Sequence, residues 1–261
     1  MSTQPIIRYS ASGAEPVIDE LADESPVEFR LGGVPIAVLM RTPGDDESLG
    51  LGFSLTEGIV LNPGEVDAIR AVEGSSEGDR YDISLTDGVE VDPEQFRRNL
   101  YTSSSCGVCG KASIDAVRIT ARSIPEGPFV GADTLTSLPA LMRTRQTGFD
   151  RTGSIHAAAA FTSDGTLVAI AEDVGRHNAV DKLVGGLAAD HWPLPDLTLI
   201  VSGRLSFEMV QKAAVSGIPL IAGISGASSL AVELGEELCM TVIGFLTPDG
   251  FNVYCGDERV R

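Results

Sequence analysis

The sequence predicts an α/β protein in which a smaller β-rich N-terminal subdomain precedes a larger half built on a sheet with helices on both faces. Two observations carry this expectation. From residue 156 onward, apolar runs of strand length alternate with stretches of helix length whose apolar residues recur at helical spacing. Before residue 100, short alternating runs are instead separated by Gly-Gly and Asp-Gly turn signals. With 261 residues, 43% of them hydrophobic, the chain is long enough for one large domain or two modest ones.

Residues 1–24 mix Ser, Gly, Pro and acids without periodicity and are expected to form a mobile tail. The β-rich subdomain is placed at 25–102. It opens with strands at 26–31 and 34–41, joined at Gly32-Gly33. "ESLGLGFSLTEGIV" reads as a helix capped by Asp45 or Asp46 and ended by Gly58, and "YDISLTDGVEV" as a second hairpin around Asp87-Gly88. A mobile loop is expected at 103–111, with "KASIDAVRITA" beginning a helix and the α/β domain spanning 112–261.

Within that domain "HAAAAFTSDGTLVAIAEDVG" predicts a hairpin turning at Asp164-Gly165, and "RHNAVDKLVGGLAA" a helix with Ala179, Leu183 and Leu187 on one stripe. A buried-type strand at 197–203 leads to a helix with Ser206 as N-cap and Gly217 as stop. "IPLIAGIS", "SSLAVELGEEL" and "CMTVIGF" continue as strand, helix, strand, which implies a parallel sheet with right-handed crossovers. In such a sheet the loops leaving the strand C-termini gather on one edge, so "EDVGR", "SGRLS", "ISGASS" and "FLTPDG" should converge there. Their glycines, the helix N-termini that follow, and Arg176, Gly203 and Arg204 predict a phosphate or pyrophosphate site. Neither a Walker pattern nor G-x-G-x-x-G is present, which argues against an ordinary NTPase or dinucleotide fold.

The formal net charge of −18 argues against nonspecific nucleic-acid or anionic-membrane binding. No apolar run approaches the roughly 18 to 20 residues of a membrane span, and the N-terminus has no basic region followed by an apolar one. A cytoplasmic protein is expected.

"SSSCGVCGKAS" places Cys106 and Cys109 two residues apart, with Cys239 and Cys255 far off and without ligand-type neighbours. A structural zinc would want a second pair. A zinc deaminase would want H-x-E before P-C-x-x-C, yet His156 is followed by Ala-Ala and the Cys pair precedes it. A thioredoxin-type pair would follow a strand in a βαβ unit. A loop with Gly107 and Gly110, a positive Lys111 and a helix start suits a reactive thiolate, able to accept a sulfane sulfur on Cys106 and release it with help from Cys109.

Six blocks then give the chain a resemblance: "RTPGDDESLGLGFSLTEGIV", "SSCGVCGKAS", "FDRTGSIHAAAAF", "EDVGRHNAVDKL", "SGRLSFEMVQKAAVSGIPLIAGISGASSLAVELGEEL" and "GFLTPDGFNVY". In this order they resemble the formate dehydrogenase accessory sulfurtransferases, the FdhD type. The resemblance implies a sulfurtransferase that takes persulfide sulfur from a cysteine desulfurase. Its acceptor is the molybdenum bis(molybdopterin guanine dinucleotide) cofactor, bound as a substrate that GDP mimics in part, on behalf of formate dehydrogenase. The alternative is a noncatalytic chaperone for that cofactor. Carried onto this sequence, Cys106 bears the persulfide with Cys109 as its partner, and the cofactor-binding segment is Phe245, Leu246, Thr247, Pro248, Asp249 and Gly250. Thr247 stands where the family usually has Arg, so Arg176 or Arg204 is expected to supply the charge. The resemblance further implies a cytidine deaminase-like C-terminal domain, a homodimer, and no protein-ligated metal.

Overall fold

A computed structural model describes residues 2–74, 80–97, 123, 124 and 126–261. The expected loop at 103–111, with Cys106 and Cys109, and the start of the helix after it lie outside the described residues. The described residues form a two-stranded ribbon, a four-stranded sheet and a six-stranded sheet.

The first twenty residues correct the expectation of an unstructured tail. Strands β1 (Ser2–Ser10) and β2 (Gly13–Leu21) pair antiparallel, with Ile6 opposite Val17 and Pro5 opposite Ile18. The alternation escapes a search for one buried face because Ile7, Tyr9 and Ile18 stay exposed. The ribbon is tied to the body by an Arg151–Glu20 ion pair of 2.6 Å.

The four-stranded sheet has the order β4-β3-β6-β5. Strands β3 (Ser25–Leu31) and β4 (Val34–Arg41) form the expected hairpin, and Gly32 and Gly33 both take positive φ, which this tight turn requires. Val27, Phe29 and Leu31 alternate into the core. Helix α1 (Asp46–Thr56) covers that face, starting from Asp45 and ending before Gly58 with φ 72°. β5 (Val66–Ala71) and β6 (Arg80–Leu85) complete the sheet. The hairpin expected around Asp87-Gly88 does not form. β6 pairs with β3 on one side and β5 on the other, so it has no free edge for a strand following the turn. A short helix, α2 (Glu94–Arg97), follows.

The six-stranded sheet runs β12-β11-β10-β9-β7-β8. Strands β7 (His156–Phe161) and β8 (Leu167–Asp173) form the expected hairpin. Helix α5 (Arg176–Ala188) follows, then β9 (Thr198–Val201), α6 (Phe207–Val215), β10 (Leu220–Gly223), α7 (Ser229–Glu237), β11 (Thr241–Thr247) and β12 (Gly250–Cys255). Ser228 caps α7 by accepting a hydrogen bond from Ala231 N–H. The sheet is mixed: the strands separated by helices pair parallel as expected, and its edges are antiparallel. β9, β10 and β11 are parallel, whereas β7 runs antiparallel to β9 and β12 antiparallel to β11. Two hairpins close its edges where a tight turn leaves no room for a crossover helix.

Side chains from alternate strand positions enter two cores. Ala158, Leu199, Val201, Ile221 and Val242 pack under α5, α6 and α7. Ala157, Ala159, Ile200, Ala222 and Ile243 pack under α3 (Ala132–Arg143), which is followed by the short α4 (Thr147–Thr152). The two sheets meet where α1 crosses α5. A Cβ on Gly52 would overlap the Asp181 carbonyl, and one on Gly185 the Ser48 carbonyl, so glycine alone permits this approach. Among the described residues, no helix is long and apolar enough to cross a membrane.

Candidate functional site

Two reversals of direction leave β8 parallel to β9, β10 and β11, so the C-termini of these four strands still share one edge of the sheet. The four glycine-bearing loops do converge there. Ser225 N–H bonds the Gly203 carbonyl at 3.4 Å, Leu205 N–H the Gly226 carbonyl at 3.1 Å, and Phe245 N–H the Ser225 carbonyl at 3.2 Å. His156, at the start of antiparallel β7, and Gly250, at the start of β12, join the same rim.

The rim brings some expected residues together. Gly203 faces Arg176 so closely that a Cβ there would lie 3.0 Å from the arginine Cδ. Arg204 is exposed and has no ion-pair partner among the described residues. The expected segment Phe245–Gly250 forms the end of β11 and its turn into β12. Phe245 has φ 53°, is 52% exposed, and lies beside Gly226. Thr247 spends its hydroxyl on the Gly250 carbonyl at 3.1 Å. Leu246 is fully buried under α3, so its side chain belongs to the core, while Pro248 and Asp249 are exposed at the turn.

Two histidines and two acids are resolved by their partners. Asp173 is fully buried and accepts from Gly175 N–H (2.7 Å), Thr42 N–H (3.0 Å) and Asn178 Nδ2 (3.0 Å), with Lys182 Nζ at 2.8 Å. Its carboxylate is fully engaged in fastening the β8–α5 turn. His177 Nε2 lies 2.9 Å from Glu208 Oε2, linking the first turns of α5 and α6. His156 Nδ1 lies 3.3 Å from Ser202 Oγ, which accepts Ala157 N–H at 2.9 Å. Burial, and then the charges of Arg176 and His177, push His156 below the usual histidine range, so it is neutral at pH 7.

On the α3 side the rim opens into a groove of about 640 Å³. His156, Ser202, Ile224 and Pro248 come from the sheet edge, and Met142, Arg143, Gln146 and Phe149 from α3, α4 and the turn between them. Glu172 fixes this second wall to β8, accepting Gly148 N–H at 2.8 Å and Phe149 N–H at 2.9 Å. The Arg143 guanidinium stacks over the Phe149 ring, 4.8 Å from its centroid. None of Arg143, Gln146, Phe149 or Glu172 stands out in the sequence. The spacing of Leu135, Leu138 and Met142 is the one signal for α3, and nothing local marks Gln146.

The FdhD/NarQ family model matches residues 22–261. The chain belongs to the FdhD/NarQ family. It is 48% identical over 266 residues to a protein of Streptomyces avermitilis named "Sulfur carrier protein FdhD", covering 97% of this chain and 93% of that one. A protein of the same name from Mycobacterium tuberculosis is 45% identical over 253 residues, covering 93% and 92%. The fold is that of a solved structure described as a putative formate dehydrogenase accessory protein from Desulfotalea psychrophila. It aligns with TM-score 0.78 over 100% of this chain and 99% of the other, at 21% identity. The match to this family agrees with the resemblance read from the six sequence blocks. Cys239 and Cys255, the described cysteines, are both free thiols, and burial raises the Cys255 thiol above the ordinary range.

Proposed function

We propose that this chain is a sulfurtransferase that carries sulfur as a persulfide on Cys106. The carrying observation is its identity of 48%, across 97% of its length, to a named sulfur carrier. In this reading the Cys106 thiolate attacks the sulfane sulfur of a cysteine desulfurase persulfide. The new S–S bond forms on Cys106 as the old one breaks, and the desulfurase thiolate departs. For release, the Cys109 thiol attacks Cys106 Sγ and expels the sulfane sulfur as hydrosulfide. The disulfide left behind is reduced by a cellular dithiol.

The acceptor is a molybdenum cofactor, taken as substrate in its bis(molybdopterin guanine dinucleotide) form before formate dehydrogenase receives it. The rim suits such an anionic substrate despite the protein's charge of −18. Arg204 is exposed and without an ion-pair partner among the described residues, Arg176 lies beside Gly203, and α5, α6 and α7 all begin along this edge. Their N–H groups and positive dipole ends favour phosphate oxygens. The guanine dinucleotide supplies those phosphates, and GDP serves as its partial mimic. The protein acts as a cytoplasmic homodimer.

Intact mass after incubation with a cysteine desulfurase and cysteine tests the carrier. One added sulfur is expected on the wild type and none on Cys106→Ala. A wild type that gains no sulfur yet binds GDP overturns the carrier and leaves a cofactor chaperone.

A further inference from the structure

The groove on the α3 side carries a feature that the phosphate-binding rim does not explain. Gln146 is 4% exposed and lines the groove, yet its carboxamide makes no hydrogen bond with any described residue. The residue is buried but its amide atoms still reach open space on the groove side, where a ligand can meet them. Its backbone is already committed, with the carbonyl accepting Asp150 N–H at 2.9 Å. The side chain is therefore not needed to shape the turn between α3 and α4.

The surroundings narrow what could meet that amide. Met142, Ile155, Ile224 and Pro248 make the walls apolar, and the Arg143–Phe149 stack adds a flat aromatic and guanidinium surface. Planar surfaces of this kind hold planar rings. Where the groove meets the sheet edge it is lined by neutral His156 and by Ser202. Phosphates thus fit the Arg204 side of the rim and an uncharged ring fits this side. At about 640 Å³ the groove is in the range of sites for a nucleotide-sized ligand, roughly 300–1,000 Å³. It holds one end of a bis(dinucleotide), not the whole.

We propose that the groove binds a flat fused heterocycle through its 2-amino-4-oxopyrimidine edge, with the Gln146 carboxamide as the hydrogen-bonding partner and the Arg143–Phe149 stack as the wall. This inference rests on the cofactor-binding reading above and deepens it. A carboxamide sets an N–H donor beside a carbonyl acceptor, complementary to the ring carbonyl and the adjacent N–H. Guanine and pterin share this edge and adenine lacks it, so the same side chain recognises either end of the substrate.

The test is equilibrium binding of GDP, neopterin and ADP to the full-length protein and to Gln146→Met, which keeps the side chain's length and removes its hydrogen bonding. GDP, neopterin or both should bind the wild type, with ADP at least tenfold weaker, and Gln146→Met should lose at least tenfold for each probe that binds. Loss for GDP alone places the guanine end in the groove, and loss for neopterin alone places the pterin end there. Should Gln146→Met melt before binding is read, Phe149→Leu must show the same tenfold loss. Unchanged affinity in the folded variant, ADP binding as tightly as GDP, or a wild type that binds neither GDP nor neopterin overturns the proposal. Sulfur loading of Cys106 on the same samples separates the two readings. Gln146-dependent binding without a sulfur adduct removes the carrier and keeps the groove, and an adduct without Gln146-dependent binding does the reverse.

Discussion

Buried charges at the joint between the two sheets are saturated, whereas the polar groups along the rim of the larger sheet have bonding capacity to spare. At the joint, Lys212 Nζ meets Asp181 Oδ1 at 2.9 Å, Glu57 at 2.9 Å and Thr56 Oγ1 at 2.8 Å. Arg41 grips Asp46 at 2.7 Å in the same neighbourhood of α1. At the rim, Arg204 is exposed, the Gln146 amide is unbonded among the described residues, and Glu208 Oε1 is buried without a donor. The difference separates charges that hold the fold from groups left available to the proposed ligand. Removing the first kind should cost stability and removing the second should cost binding.

The largest effect is expected from Lys212→Met, which leaves Asp181 and Glu57 facing each other without their cation. Breaking one partner from a buried pair costs about 3–5 kcal/mol, read as a lower melting temperature or denaturant midpoint. A loss below 1 kcal/mol would show that the joint is less closed than its distances imply. Burial alone would lower the Lys212 pKa, but Asp181 and Glu57 outweigh it and hold the ammonium well above its ordinary value. With the folded value raised, the stabilisation is fully present below the unfolded lysine value of about 10.4 and is lost only as pH climbs through the folded one. Neutral and mildly alkaline buffers should therefore leave it intact.

Arg204→Ala should do the opposite. An exposed side chain without an ion pair among the described residues contributes little to folding, so stability should stay within about 0.5 kcal/mol. GDP affinity should fall about tenfold, equivalent to about 1.4 kcal/mol. Unchanged GDP affinity would take Arg204 out of the phosphate site and blur the distinction between the two regions.

The smallest effect concerns His156, whose folded pKa is depressed by burial and by Arg176 and His177. The native state then binds fewer protons than the unfolded chain, so this contribution is complete above the unfolded value of about 6.5 and shrinks as pH falls below it. A His156→Gln variant should lose less stability between pH 7 and pH 5 than the wild type. An NMR titration placing His156 above free histidine would contradict the rim's neutral floor.

Local signals exposed much of this fold and little of the groove. Gly32-Gly33 and Asp164-Gly165 marked two hairpins, whereas Ser206, expected as a cap, makes no side-chain cap hydrogen bond. Turns are written in adjacent residues. Strand direction is not. β7 reads as an apolar run whichever way it points, and only its pairing with β9 makes it antiparallel. The rim was legible because each loop carries a glycine and two of the four carry an arginine. Gln146 was not, since its significance depends on Ser202, Ile224 and Pro248 arriving from distant strands. The first β-ribbon escaped notice because its apolar residues point outward.

Thr42 receives Val174 N–H on its hydroxyl, gives its own N–H to Asp173, and offers its carbonyl to Lys182 Nζ at 2.7 Å. A single threonine between β4 and α1 thus rivets the first sheet to the turn from which α5 springs. Severing the chain into two separately produced halves would strip that turn of its clasp and uncover the glycine seam at once. The first sheet is accordingly a support for the rim's geometry, fastened through one residue to the turn that starts it.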